Sequence, residues 1–224
     1  MLDVIERIEI ALRTALSNHL ALSYNPWWYT NDKLFKSSWC TTSRNGRKNP
    51  KEAFFSELNA ICKKRKHNET IKRYYDQYSS PKYPPSWIAL EFLSFGKCTS
   101  LFRYLRSHHD KNAISNVFGV HHKIFESTLE PLRYTRNLCA HHSRLWDRWF
   151  VYKPRNLKEL KQAHCLPGTL KEQLVLLSLF LNKISPQSSW KEHMYDLFGR
   201  YENFVAFEHM GFNQNWSTDP FWNA

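Results

Sequence analysis

Cysteine is sparse and unpatterned in this chain. Cys40, Cys62, Cys98, Cys139 and Cys165 are odd in number and show no CxxC spacing. That argues against a disulfide framework and fits buried thiols in a reducing, cytoplasmic setting. Long apolar runs are also lacking. The most apolar stretch, LVLLSLFL from Leu174 to Leu181, is bracketed by Glu172 and Lys183 and is far too short to span a bilayer. The opening MLDVIERIE puts acids where a secretion signal would be basic, so no signal peptide is expected. No alternating strand of useful length and no internal repeat is visible. Acidic residues are in deficit, 20 against 32 Lys and Arg, giving a net charge of +12 and favouring an acidic partner. With the membrane disfavoured, nucleic acid is the expected acidic partner.

What remains is a helical pattern. The 224 residues are 42% hydrophobic and 16% aromatic, enough for a folded core. Val4, Ile5, Ile8, Leu12, Ala15, Leu16 and Leu20 recur at the helical period behind Asp3, a candidate cap, and predict a core or dimer-packing helix ending near Tyr24. Asn49-Pro50 followed by Glu52 predicts a second start, and Thr169-Leu170-Lys171-Glu172 and Ser189-Trp190-Lys191-Glu192 have capping-box spacing. Ser86 opens a segment apolar nearly all round, with Glu91 inside it expected as a buried carboxylate paired with an arginine. Short helices are expected over 110–117 and 121–129, and the tail aromatics Trp216, Phe221 and Trp222 are expected to dock on the body. The reading is one all-α domain over residues 1–224, a bundle with irregular aromatic-rich loops.

Between Arg44 and Arg73 stand ten Lys or Arg against three acids, followed by Tyr74, Tyr75 and Tyr78. A charge run is usually a solvated helix face. The functional alternative is a phosphate-contacting surface through Lys63, Lys64, Arg65 and Lys66, with the tyrosines stacking on unpaired bases.

The stretch EPLRYTRNLCAHHSRLWDR, from Glu130 to Arg148, concentrates the chemistry. As one helix over about residues 131–149, it places Leu132, Leu138, Cys139, Leu145, Trp146 and Trp149 on an apolar side, joined by His142, expected to be packed and hydrogen-bonded. Arg133, Asn137, His141, Arg144 and Arg148 then fall within roughly 80° on the other side, with no acid among them. An imidazole beside guanidinium groups and an amide suits phosphate binding and proton transfer.

Here the chain resembles a known family. Arg136-Asn137-Leu138-Cys139-Ala140-His141 resembles the Arg-(polar)-x3-His signature of the HEPN superfamily, many of whose members are metal-independent RNases. RNLCAHHSRLW, ERIEIALRTALSNHL (Glu6 to Leu20), PPSWIALEFLSFG (Pro84 to Gly96) and MGFNQNW (Met210 to Trp216) resemble, in order, Abi-like abortive-infection proteins of the AbiD/AbiF type. Members usually carry further helical sequence before the ERIE block, so this chain reads as a short variant or one that has lost an N-terminal part.

The resemblance implies a HEPN-like bundle and a cytoplasmic endoribonuclease of a phage-defence or toxin-like system, needing no cofactor or metal. Arg136, Asn137 and His141 would be catalytic; Arg133, Arg144 and Arg148, from the polar face, are expected on the RNA, only Arg144 of them inside the resembling block. Cleavage by 2′-hydroxyl attack needs a base, an acid and cations for the developing charge, and leaves a 2′,3′-cyclic phosphate. Arg136 lies about 140° around a helix from His141, so one copy presents the two poorly to a single phosphate. A homodimer pairing Arg136 of one chain with His141 of the other solves this, as HEPN nucleases commonly do. The alternatives are a non-cleaving RNA-binding protein, since some AbiF-type members associate with a small non-coding RNA, and a helical interaction protein. A zinc site from Cys139, His142, His164 and Cys165, or from His108-His109 and His121-His122, lacks ligand spacing.

Overall fold

The computed structural model describes residues 1–41, 48–64, 67–155 and 157–223. Among them are ten α-helices and no strand; the one β-type pairing is an antiparallel bridge between Phe35 and Leu105. The all-α expectation is therefore correct. Packing divides the chain into two units, one of Ile10–Ile114 and a discontinuous one of Met1–Glu9 with Ser115–Ala224.

Helix α1 (Leu2–Ser23) runs through both segments, and all seven of its periodic apolar residues are buried. In the Ile10–Ile114 unit, α2 (Pro50–Lys63) starts where the sequence places it. Asn49 accepts from the Glu52 amide at 2.8 Å and Glu52 accepts in return, while proline occupies a position whose N–H would be unpaired anyway. Next come α3 (Glu69–Gln77), α4 (Ser86–Phe92), α5 (Phe95–Tyr104) and α6 (His108–Asn116). The apolar segment after Ser86 thus breaks at Leu93-Ser94. Glu91 is exposed, and so is Trp87 at 55%, so this segment is amphipathic rather than buried all round.

The other unit contains α7 (His122–Ala140), α8 (Lys158–Gln162), α9 (Leu170–Ile184) and α10 (Trp190–Tyr201). Helix α9 supplies its centre: every residue from Leu170 to Ser178 is buried. Lys171 is buried there too, its Nζ 2.8 Å from Asp219 Oδ2, with side chains 2% and 0% exposed. That pair fastens the tail to α9. Phe207, Phe212, Trp216 and Trp222 pack around Phe198 of α10, so the tail aromatics dock as expected. Ser189 makes no side-chain cap, and α10 stops at Tyr201.

Candidate active site

The structure decides two points about the motif helix. First, of the two places open to Pro131, the start of the helix or a position within it, the structure has the second: α7 runs from His122 with Pro131 buried in its interior. Phe125, Leu129 and Leu132, all at most 1% exposed, hold both sides of the proline on one buried face. Second, the helix ends at Ala140, not near Trp149. The His142 amide bonds the Cys139 carbonyl at 3.1 Å, and the Ser143 amide reaches back to Leu138 at 2.9 Å. His142 itself adopts φ 50. This is a Schellman stop, with histidine in the left-handed position usually held by glycine. Arg144, Trp146, Arg148 and Trp149 consequently lie on irregular chain, and the single basic face expected across 131–149 does not exist.

The termination nonetheless displays part of the motif. Asn137 and His141 are both exposed. The His141 amide donates to the Asn137 carbonyl at 3.0 Å, so the last helical hydrogen bond fixes their spacing. The negative end of the helix dipole and its unpaired carbonyls favour cations at this point, and the imidazole and two guanidinium groups follow. His142 is also exposed rather than packed, though it borders a cavity of about 670 Å³ with Cys139, Leu145, Met194 and Phe207.

Arg136 faces elsewhere. Its Nε lies 3.8 Å from Glu9 Oε2, with Arg136 38% and Glu9 7% exposed, and that Nε is buried without a hydrogen bond. The contact joins the ERIE block to the RNLCAHH block. Arg133 is bound to Glu130 one turn back. Arg148 donates from Nε to the Arg144 carbonyl at 2.8 Å and from Nη1 to the Tyr134 hydroxyl at 3.3 Å, which folds the loop over the helix end. The Arg144 guanidinium sits 5.2 Å from the Trp146 ring centre, and Lys153 Nζ sits 4.4 Å from that of Trp149. Trp149 also rests against Gly168, where an added Cβ would come within 2.9 Å of the indole.

These exposed rings are what the sequence reading missed. Trp146, Trp149 and Tyr152 are 47%, 63% and 42% exposed, whereas the helical pattern assigned both tryptophans to the apolar side. The alternation of cation and ring in Arg144, Trp146, Arg148, Trp149 and Lys153 is the signal that could have found them.

The second basic stretch belongs to the Ile10–Ile114 unit. Lys63 and Lys64 are exposed there; Arg65 and Lys66 lie outside the described residues. Tyr74 is buried and donates to the Tyr83 carbonyl at 3.2 Å, and Tyr75 donates to Lys82 at 2.8 Å. Both pin the proline-rich break; Tyr78, 53% exposed, is available for stacking. Burial pushes the Cys139 thiol up and the Cys165 thiol up to about 12, which disfavours the thiolate that a metal requires.

A family model described as Abi-like protein matches residues 1–147, from the start of α1 through the loop after the motif. The chain belongs to the Abi-like protein family. Membership points to an abortive-infection role. The match contains three of the four resembling blocks and stops before MGFNQNW. Neither the curated proteins nor the solved structures gave a match. Among the described residues, no helix is long and apolar enough to cross a membrane.

Proposed function

We propose that this Abi-like protein is a metal-independent endoribonuclease of HEPN type, cytoplasmic, toxin-like and acting in phage defence. The observation that carries the reading is the end of α7, where Asn137 and His141 stand exposed at a fixed spacing and Arg144 and Arg148 follow on the next stretch of chain. RNA brings its own nucleophile. His141 takes the proton from the 2′-hydroxyl, the 2′-oxygen attacks phosphorus, and the 5′-oxygen leaves with a proton from an acid. The products are a 2′,3′-cyclic phosphate and a 5′-hydroxyl. Arginine forks neutralise the charge that develops on the phosphate.

The Glu9 contact alters the role of Arg136. In its own chain this guanidinium orients α7 against α1, and its exposed part serves a phosphate held at His141 of a second chain. The enzyme is then a homodimer, and its two histidines divide the base and acid roles. The exposed rings of 146–152 favour unpaired bases, so the substrate is single-stranded or looped RNA. That same surface supports a second reading, a non-cleaving protein that holds a structured small RNA.

Cleavage of total bacterial RNA in EDTA by the wild type beside His141→Ala separates the two. Cutting that leaves cyclic phosphate ends and vanishes in the variant is the expected outcome. Equal RNA binding by both proteins without cutting would replace the nuclease by the RNA-holding protein. Mixed His141→Ala and Arg136→Ala chains should regain part of the activity, and a strict monomer that still cleaves would defeat the shared site.

A further inference from the structure

Asp110 lies in the first turn of α6 and is 3% exposed, with its backbone N–H capped by Ser107 Oγ at 3.1 Å. Its two carboxylate oxygens are used separately. Oδ2 accepts from the Tyr24 hydroxyl at 2.7 Å. Oδ1 lies 2.8 Å from His19 Nε2 and 3.7 Å from His109 Nδ1. His19 comes from α1 and the other two from α6, and all three belong to the Ile10–Ile114 unit. One ligand atom from each lies within 4.8 Å of the other two.

Sequence spacing hides this group, because Asp110 and His19 are far apart in the chain. Adjacent residues also seldom share an ion, since their side chains diverge by about 100° on a helix. Here His109 Nδ1 stands 3.7 Å from its neighbour's carboxylate oxygen, so the two side chains converge. Zn²⁺ bonds imidazole nitrogen and carboxylate oxygen at about 2.0–2.2 Å, so tetrahedral ligand atoms stand about 3.3–3.6 Å apart. The two observed separations, 2.8 and 3.7 Å, bracket that spacing.

The surroundings match what an ion needs. Asp110 is held in place by its carboxylate contacts with His19 and Tyr24 and by its backbone N–H on the Ser107 hydroxyl. Tyr24 fixes the carboxylate from the outer shell and leaves Oδ1 turned to the imidazoles. The His109 side chain is 88% exposed, so the group opens to solvent on one side. We propose that His19, His109 and Asp110 bind a divalent transition-metal ion, with Zn²⁺ suited to their two imidazoles and one carboxylate. Three protein ligands leave a fourth position for water, the open arrangement rather than the closed structural one. The ion also clamps α1 to α6. None of these residues belongs to the candidate active site, and the proposal stands whether or not the chain cleaves RNA.

The test is titration of the chelator-stripped full chain with Zn²⁺ and with Co²⁺, following heat release, the visible cobalt spectrum and Tm. One equivalent should bind, with a nitrogen–oxygen cobalt spectrum and a raised Tm. His109→Ala, at an exposed position that leaves the fold intact, should lose at least about tenfold in affinity. Tyr24→Phe should lose roughly ten- to a hundredfold. No binding, binding unchanged in His109→Ala, or a cobalt-thiolate band from the cysteines would each overturn the site.

Discussion

Two irregular, ring-rich segments of this molecule have opposite fates. Trp28, Tyr29 and Trp39 lie on short 3₁₀ turns after α1, Phe35 on the extended chain between two of them, and all four are at most 1% exposed. Trp146, Trp149 and Tyr152 lie on equally irregular chain after α7 and are 42% exposed or more. Composition does not separate them. Backbone hydrogen bonding does. In the first segment the Lys36 amide donates to Tyr104 at 2.9 Å, the Arg106 amide to Leu34 at 2.8 Å, and the Ser86 amide to Pro26 at 2.8 Å. Those bonds seat the chain on its own unit, where Phe35 and Trp39 stack at 4.8 Å and Phe54 packs beside them. The second segment has the Phe150 amide on the Gly168 carbonyl at 2.8 Å and the Arg155 amide on the Ser127 hydroxyl at 3.2 Å, and the Arg148 side chain bonds Arg144 and Tyr134. Rings on a loop are left outside where the backbone is tied down sparsely.

The sharpest way to break this contrast is to truncate one ring from each set. Trp39→Ala should cost about 3–5 kcal/mol of stability, read from a urea melt, because it empties a filled core position. Trp149→Ala should change stability by less than about 0.5 kcal/mol. It should instead weaken binding of unpaired RNA by about 1–3 kcal/mol, read by fluorescence titration. Equal destabilisation by the two substitutions would erase the distinction. A subtler probe leaves every ring in place. Gly168 has φ +84 and no room for a Cβ beside the Trp149 indole. Gly168→Ala should therefore cost about 1–3 kcal/mol and also reduce RNA affinity by displacing the indole.

The smallest effect concerns the turn that leads into the exposed segment. His142 pays a left-handed backbone cost of about 1–2 kcal/mol, of which glycine's greater unfolded freedom returns only part. His142→Gly should stabilise the protein by about 0.5–1 kcal/mol and leave RNA cleavage unchanged. Loss of cleavage would instead assign His142 to the chemistry.

Much of the framework was legible because local signals and burial agreed. Asn49, Pro50 and Glu52 marked a helix start, and α1's apolar stripe marked its buried face. Where they disagreed, reading failed. Leu145, Trp146 and Trp149 continue the helical period past Ala140, while the stop is carried by His142 rather than by a glycine. Pro131 looks like a boundary, yet burial on both sides keeps α7 whole. Asn137 and His141 could be picked out by residue type. The Glu9 contact of Arg136 and the Asp110 cluster could not, since both join residues distant in sequence.

That same long-range contact has a consequence for how the protein is made. Met1–Glu9 leaves the ribosome well before the rest of its unit, whose remaining residues begin at Ser115. Glu9 must wait for Arg136 while the whole of Ile10–Ile114 is synthesised in between. At roughly 5–20 residues per second the delay is on the order of ten seconds, far longer than a helix takes to form. The intervening unit therefore has time to fold around the rest of α1 before the motif helix exists. A nascent chain stalled short of residue 136 holds that unit but none of the residues assigned to cleavage, so the activity proposed here is withheld until late in translation.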